Sequence, residues 1–103
     1  MKYLVIGRIE KNIPFEKGEE INKASMEWIE KRLKKGTIDC HHIFIDNRAG
    51  MVIQNANSHE ELSNDLMTFP MYQYFSWEII PLCEWKQHYE IVINMYKNAG
   101  NHA

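Results

Sequence analysis

Between Thr37 and Ile45 the chain carries Asp39-Cys40-His41-His42-Ile43-Phe44, an acid, a thiol and two imidazoles in succession. Such side chains do three kinds of chemistry. An unperturbed imidazole titrates near pH 6.5, so His41 or His42 can take and return a proton at neutral pH. A thiolate attacks carbonyl carbon when a base stands beside it. Cysteine and histidine hold zinc when three or four of them converge.

Spacing separates these readings. The run has strand character, and alternate residues of a strand share a face, so Cys40, His42 and Phe44 point one way and Asp39, His41 and Ile43 the other. Cys40 and His42 then lie about 7 Å apart along the strand, which favours inert packing over activation of the thiol. Two ligands on one face fall short of a metal site, and the remaining histidines, His59, His88 and His102, sit in helical or terminal segments. No metal is expected. No phosphate loop or dinucleotide fingerprint occurs, so no cofactor is expected. Proton transfer is left, with His42 or His41 as acid-base. We expect Cys40, His42 and Phe44 to face a cavity, because a thiol and a ring around one imidazole make a better pocket wall than Asp39 and His41, whose charge suits an edge near solvent.

Other residues can assist. Glu78 lies between Trp77 and Ile79, where an ionised carboxylate is costly unless paired or facing a polar cavity. Tyr3 stands on the first strand, and Arg8 on that strand can hold an acidic substrate group or pair with Glu78. The aromatic set, including Trp28 and Phe44, exceeds what a small core needs and suits a pocket for a planar ligand. Ser25 is a polar residue on an otherwise apolar helical stripe.

The elements that must position these groups are legible from periodicity. Lys2 to Ile9 is apolar on both parities, as in a strand covered on both faces. From Phe15 or Glu19 to Lys35, Ile21, Ala24, Ser25, Trp28 and Leu33 keep helical spacing, and Gly36 supplies the stop. Thr37 to Ile45 and Met51 to Asn55 read as strands joined by Asp46-Asn47-Arg48-Ala49-Gly50. Ser58 and Glu61 form a capping box for a helix to about Met67, with Pro70 beyond it. Tyr74 to Leu82 is a fourth strand. Trp85, Tyr89, Val92 and Tyr96 then recur at helical intervals, predicting a last helix that packs on its own or a neighbouring subunit.

The order is β-α-β-β-α-β with a C-terminal helix, an α+β, ferredoxin-like arrangement. The 103 residues fit one domain over 1–98 with a flexible tail over 99–103. Strands apolar on both faces need a second cover, and another subunit supplies it, so a homo-oligomer, at least a dimer, is expected. Twelve Lys and Arg against fourteen Asp and Glu leave a net charge of −2, which argues against nucleic acid or an anionic membrane as partner. No leader-like or membrane-spanning run appears, and the two cysteines make no disulfide framework, so a cytoplasmic protein is expected.

The segments "KKGTI" and "SHEELSNDLMTFPMYQYFSWEIIPLC", with the hairpin between them, resemble the muconolactone isomerases over roughly residues 1–83. The similarity is most specific at Ser58, Glu61, Leu62, Leu66, Met67, Pro70, Tyr74, Glu78, Leu82 and Cys83. It implies a dimeric α+β barrel, often built into larger assemblies, and a cofactor-free enzyme. In an ungapped alignment the family's acidic position on the first helix falls at Ser25, with Glu27 two residues on, and its basic and aromatic second strand is replaced by Asp39 to Phe44. The chain after Cys83 is longer than the family's usual tail. The expected activity is proton transfer beside a carbonyl, isomerising an unsaturated lactone or an aromatic or polyketide-like small molecule. His42 or His41 would be acid-base, Tyr3 and Glu78 secondary, and Arg8, Phe44, Trp28 and Ser25 substrate-binding. The alternatives are a cofactor-independent monooxygenase on the same barrel, or a non-catalytic binding or assembly protein.

Overall fold

The computed structural model describes residues 1–101. Strand β1 (Lys2–Ile9) runs through the middle of an antiparallel sheet with β4 (Phe75–Leu82) on one side and β3 (Ala49–Asn55), then β2 (Ile38–Ile43), on the other. Helices α1 (Gly18–Lys35) and α2 (His59–Leu66) connect the strands, and α3 (Trp85–Asn101) ends the chain. This is the expected β-α-β-β-α-β order with a C-terminal helix.

Local chemistry sets the boundaries. Gly36 closes α1 in the left-handed region at φ 79°, with its N–H donating to the Leu33 carbonyl, a conformation that costs glycine little. Ser58 Oγ accepts from the Glu61 N–H at 3.0 Å, the predicted N-terminal cap of α2. The hairpin turn has the expected five residues but lies two positions earlier in the chain. Asn47 turns at φ 61° and Asp46 accepts from the Arg48 N–H, so β2 stops at Ile43 and Phe44 belongs to the turn.

The strands sort their residues by parity. Tyr3, Val5 and Gly7 of β1 are buried on the helix side, with Ile38, Val52, Trp28, Ile29, Leu62 and Leu66. Leu4 and Ile6 face the far side and are half-buried, beside Met51 and Ile53 of β3. A β-bulge interrupts β2, where Ile38 pairs with Gln54 but Cys40 pairs with Ile53, leaving Asp39 extra. That residue resets the alternation of everything after it.

The last helix forms where its periodicity predicts. It runs to Asn101, past the boundary drawn at 98, while His102 and Ala103 of the expected tail lie outside the described residues. It does not pack on its own domain. From Pro81 to Gly100 every residue except Val92 is exposed. The molecule is 69 Å long with a radius of gyration of 18.4 Å, against about 13 Å for a compact chain of this length.

Candidate active site

A cavity of about 520 Å³ lies between the helix-side face of the sheet and α1. Its floor is made by absence. Gly7 and Gly50 are directly opposite each other on β1 and β3, on the helix-side parity, and both line the cavity. A Cβ on Gly7 would stand 2.6 Å from Phe75 Cδ2 and 3.0 Å from Trp77 Cζ3, so two rings of β4 close over bare backbone there. Those rings belong to a wall of aromatics. Phe69 meets Trp28 at 5.0 Å between ring centroids and Trp77 at 6.0 Å, both edge-on, and Tyr72 stacks on Trp77. Such contacts hold ring orientation as well as bury area.

Trp28 is fixed from behind. Its indole Nε1 donates to Thr68 Oγ1 at 2.9 Å, and the Arg32 guanidinium lies 3.6 Å from the ring centroid. Arg32 is gripped by Asp65 through two bonds of 2.9 and 2.6 Å, and the Gln54 amide donates to the same carboxylate at 2.7 Å. The Arg32 bonds and charge, with Gln54 behind them, hold the Asp65 carboxyl below the usual carboxylate range against the opposing effect of burial.

His41 is the imidazole on the cavity wall. Its Nδ1 lies 3.1 Å from the Met51 carbonyl oxygen. A carbonyl only accepts, so Nδ1 carries the proton in that bond and the neutral ring keeps its lone pair on Nε2. The expected facing is therefore reversed. Ile38 is buried on the helix side, and unbroken alternation would bring Cys40 and His42 with it. The bulge at Asp39 instead pairs His41 with Val52 and Ile43 with Gly50, both on the cavity side, and turns Cys40 and His42 to the far face.

Of the residues singled out from sequence, His41, Ser25 and Trp28 meet at this cavity. Ser25 is buried, and its hydroxyl donates to the Ile21 carbonyl at 2.8 Å. His42, Glu78 and Arg8 are exposed on the far face, where Glu78 pairs with Ile6 and Arg8 with Ser76, and no Arg8–Glu78 ion pair forms among the described residues. Tyr3 is buried away from the cavity, its hydroxyl 2.6 Å from His59 Nδ1. Phe44 is half-buried in the hairpin. Cys40 and Cys83 are free thiols.

Sequence reasoning missed Glu30, Asn22 and Asn47, which also line the cavity. The signal for Glu30 was available, since Asn22, Met26 and Glu30 follow one another at four-residue steps along one side of α1. Glu27, the nearer acid in sequence, opens instead onto a groove on the other side of α1 with Lys31, Arg32 and Asp65.

The sequence profile of the family described as muconolactone delta-isomerase matches residues 1–88. No curated protein sequence matches the chain. Among solved structures, a muconolactone isomerase superposes with a TM-score of 0.74 at 20% identity, covering 82% of this chain and 90% of that one. A 5-chloro-2-hydroxyhydroquinone dehydrochlorinase from Burkholderia phenoliruptrix, solved with 2,5-dihydroxybenzoquinone, superposes with a TM-score of 0.64 at 16% identity, covering 84% and 98%. At these identities the superpositions speak for the fold.

Proposed function

The chain belongs to the muconolactone delta-isomerase family, and from that premise we propose that it is a cytoplasmic, cofactor-free enzyme that moves a proton beside the carbonyl of a flat unsaturated ring. The ring is a lactone, or an aromatic or polyketide-like equivalent. The observation that carries this reading is the aromatic-walled cavity beside Gly50, where Phe75 and Trp77 pack down onto the Gly7 backbone, Phe69 and Trp28 complete the wall and His41 stands on the border. A slot of that form takes a ligand one ring thick.

In the reaction, His41 Nε2 removes a proton from carbon conjugated to the ring carbonyl. The C–H electron pair moves into the π-system and the carbonyl oxygen becomes an enolate. The imidazolium returns the proton at another carbon of the same system, so the double bond shifts and nothing else is consumed. The Ser25 hydroxyl proton is spent on Ile21 and one Asn22 amide hydrogen on the Gly18 carbonyl, which leaves the second Asn22 amide hydrogen and the Asn47 amide to donate to the enolate oxygen. Glu30 is the second titratable group of the cavity. The ring-sized ligand is in keeping with the dehydrochlorinase neighbour, which was solved with 2,5-dihydroxybenzoquinone.

The protein works as a homo-oligomer, at least a dimer, through the far face of the sheet. There Leu4, Ile6, Met51 and Ile53 are half-buried and Ile80 and Leu82 are open. No helix of the described residues is long and apolar enough to cross a membrane.

The test is deuterium exchange by NMR, with an α,β-unsaturated butenolide and a hydroxyquinone as substrates in D₂O. The wild-type protein should wash deuterium into the ring-adjacent position, and His41→Gln should slow this about 100-fold or more while His42→Ala stays close to wild type. Oxygen uptake with the same quinone would indicate the monooxygenase reading. Binding without exchange would indicate a carrier. A folded His41→Gln protein at full rate would end the assignment.

A further inference from the structure

The cavity sorts charge. Glu30 and His41 line it, and among the described residues no lysine or arginine stands with them. The helix explains the sorting. Lys31 and Lys35 fall about 100° and 140° round α1 from Glu30, and with Arg32 they open onto the groove on the other side. Arg32 is in any case held by Asp65. Arg8, the residue that could have held an acidic substrate group, is on the far face of the sheet, paired with Ser76. Arg48 follows Asn47 in the hairpin, exposed and outside the lining.

Such a lining is selective about the group that a ligand carries on its ring. A carboxylate taken out of water is costly unless a cation or several donors receive it. Here it would meet the rings of Trp28, Phe69, Phe75 and Trp77 and, at the mouth, the exposed Glu30 carboxylate. Desolvation and like-charge repulsion then act in the same direction. A hydroxyl meets the opposite situation. Carboxylate oxygens only accept hydrogen bonds, and among the described residues no ion pair occupies Glu30.

We propose that the substrate is a ring without a carboxylate arm, and that where it meets Glu30 it carries a hydroxyl or another donor free of negative charge. Glu30 is then a specificity-determining residue. It accepts from that donor at the mouth, while the half-buried His41 on the wall handles the ring proton. The inference rests on the reading that this cavity holds the substrate ring. It concerns the group that meets Glu30 and not charge spread over the ring itself.

Three butenolides that share one ring test it, with a methyl, a hydroxymethyl or a carboxymethyl arm on the carbon next to the ring oxygen. Binding is read at neutral pH by titrating ¹⁵N-labelled full-length protein and following the indole N–H signals of Trp28 and Trp77, both in the cavity wall. The hydroxymethyl compound should bind about tenfold tighter than the methyl one, and the carboxymethyl compound about tenfold or more weaker than either. Glu30→Gln should shrink both differences, and Glu30→Lys should make the carboxymethyl compound the tightest of the three. Glu30 is exposed on α1, so both variants should fold, which circular dichroism verifies. A wild type that binds the carboxymethyl compound as tightly as the hydroxymethyl one overturns the proposal. So does an order that neither variant changes, or a wild type that binds none of the three. Affinity is read without turnover, so the two claims fail separately. Full deuterium exchange in His41→Gln ends the reaction and leaves this order standing, whereas a wild type that prefers the carboxymethyl arm ends this inference and leaves the reaction standing.

Discussion

The two floor glycines should separate packing from space. In Gly7→Ala the new methyl lands 2.6 and 3.1 Å from Phe75 ring atoms and 3.0 Å from Trp77, well inside the ~3.5–4.0 Å of a relaxed carbon contact. Neither ring can swing freely, because Trp77 is stacked on Tyr72 and edge-on to Phe69 and Phe75 packs beside it. Overpacking of this kind costs about 1–3 kcal/mol, and the reduced freedom of the unfolded chain returns about 0.4–1 kcal/mol. The net loss is about 1–2 kcal/mol, or roughly 5–15 °C in Tm at this chain length. Gly50→Ala meets only Ile43 Cδ1 at 3.1 Å, the end of a flexible side chain, and the His42 carbonyl at 3.4 Å. Small relaxation and the same unfolded-state gain nearly cancel, so stability should stay within about 0.5 kcal/mol of wild type.

Function should order the pair the other way. The Gly50 methyl would rise from the floor 3.7 Å from His41 Cε1, where the proposed reaction puts its flat ring. One methyl group in a fitted slot is worth about 1–3 kcal/mol, or roughly 10- to 200-fold in affinity. Thermal unfolding by circular dichroism reads the first effect. Quenching of Trp28 and Trp77 fluorescence by 2,5-dihydroxybenzoquinone reads the second. The reasoning is refuted if Gly7→Ala melts with the wild type, or if Gly50→Ala binds the quinone as tightly as the wild type does.

Two further outcomes follow from hydrogen bonds already described. Asp65→Ala removes three acceptor contacts, leaving the buried Gln54 amide without its partner and the Arg32 guanidinium with only the Trp28 carbonyl and the Thr68 hydroxyl, a loss of about 2–4 kcal/mol by urea unfolding at pH 7. The wild-type contribution has a defined pH sign. The Asp65 carboxyl is held below its ordinary value in the folded protein, so its stabilisation is complete above the unfolded value of about 3.9 and is lost as pH falls through the folded one. Wild type and Asp65→Ala should therefore converge in stability on acidification below about pH 4, and a gap that stays constant to pH 2 would show the carboxylate to be irrelevant. Ser58→Ala removes the bond to the Glu61 N–H and should cost about 1 kcal/mol, seen as faster amide exchange in the first turn of α2 than in α1.

The fold was legible because its signals are local. Gly36 after a charged helix end, Ser58 three residues before Glu61, and branched residues on both parities of Lys2 to Ile9 each act through neighbours in the chain. The cavity depends on pairs distant in sequence. Gly7 and Gly50 look like unrelated glycines until the sheet register sets them opposite each other. The same holds for Trp28, whose fixed position depends on Thr68 and, through Arg32, on Asp65. Composition offered no hint of either.

The imidazoles show why the chemistry was harder to place than the strand. Alternation is a rule about neighbours, so it correctly put His41 and His42 on opposite faces. Which face is which is decided by counting from a buried anchor, and one extra residue inverts the count. Ile38 is that anchor and Asp39 the extra residue, held at the sheet edge by the Lys2 ammonium and the Asn55 amide. These two bonds and the Lys2 charge also hold its carboxyl below the usual range. An acid paired with a lysine of β1 and an amide of β3 thus gives the extra residue polar partners at the sheet edge while Ile38 stays buried. The aspartate that looked like a member of a reactive cluster instead sets which histidine the cavity receives.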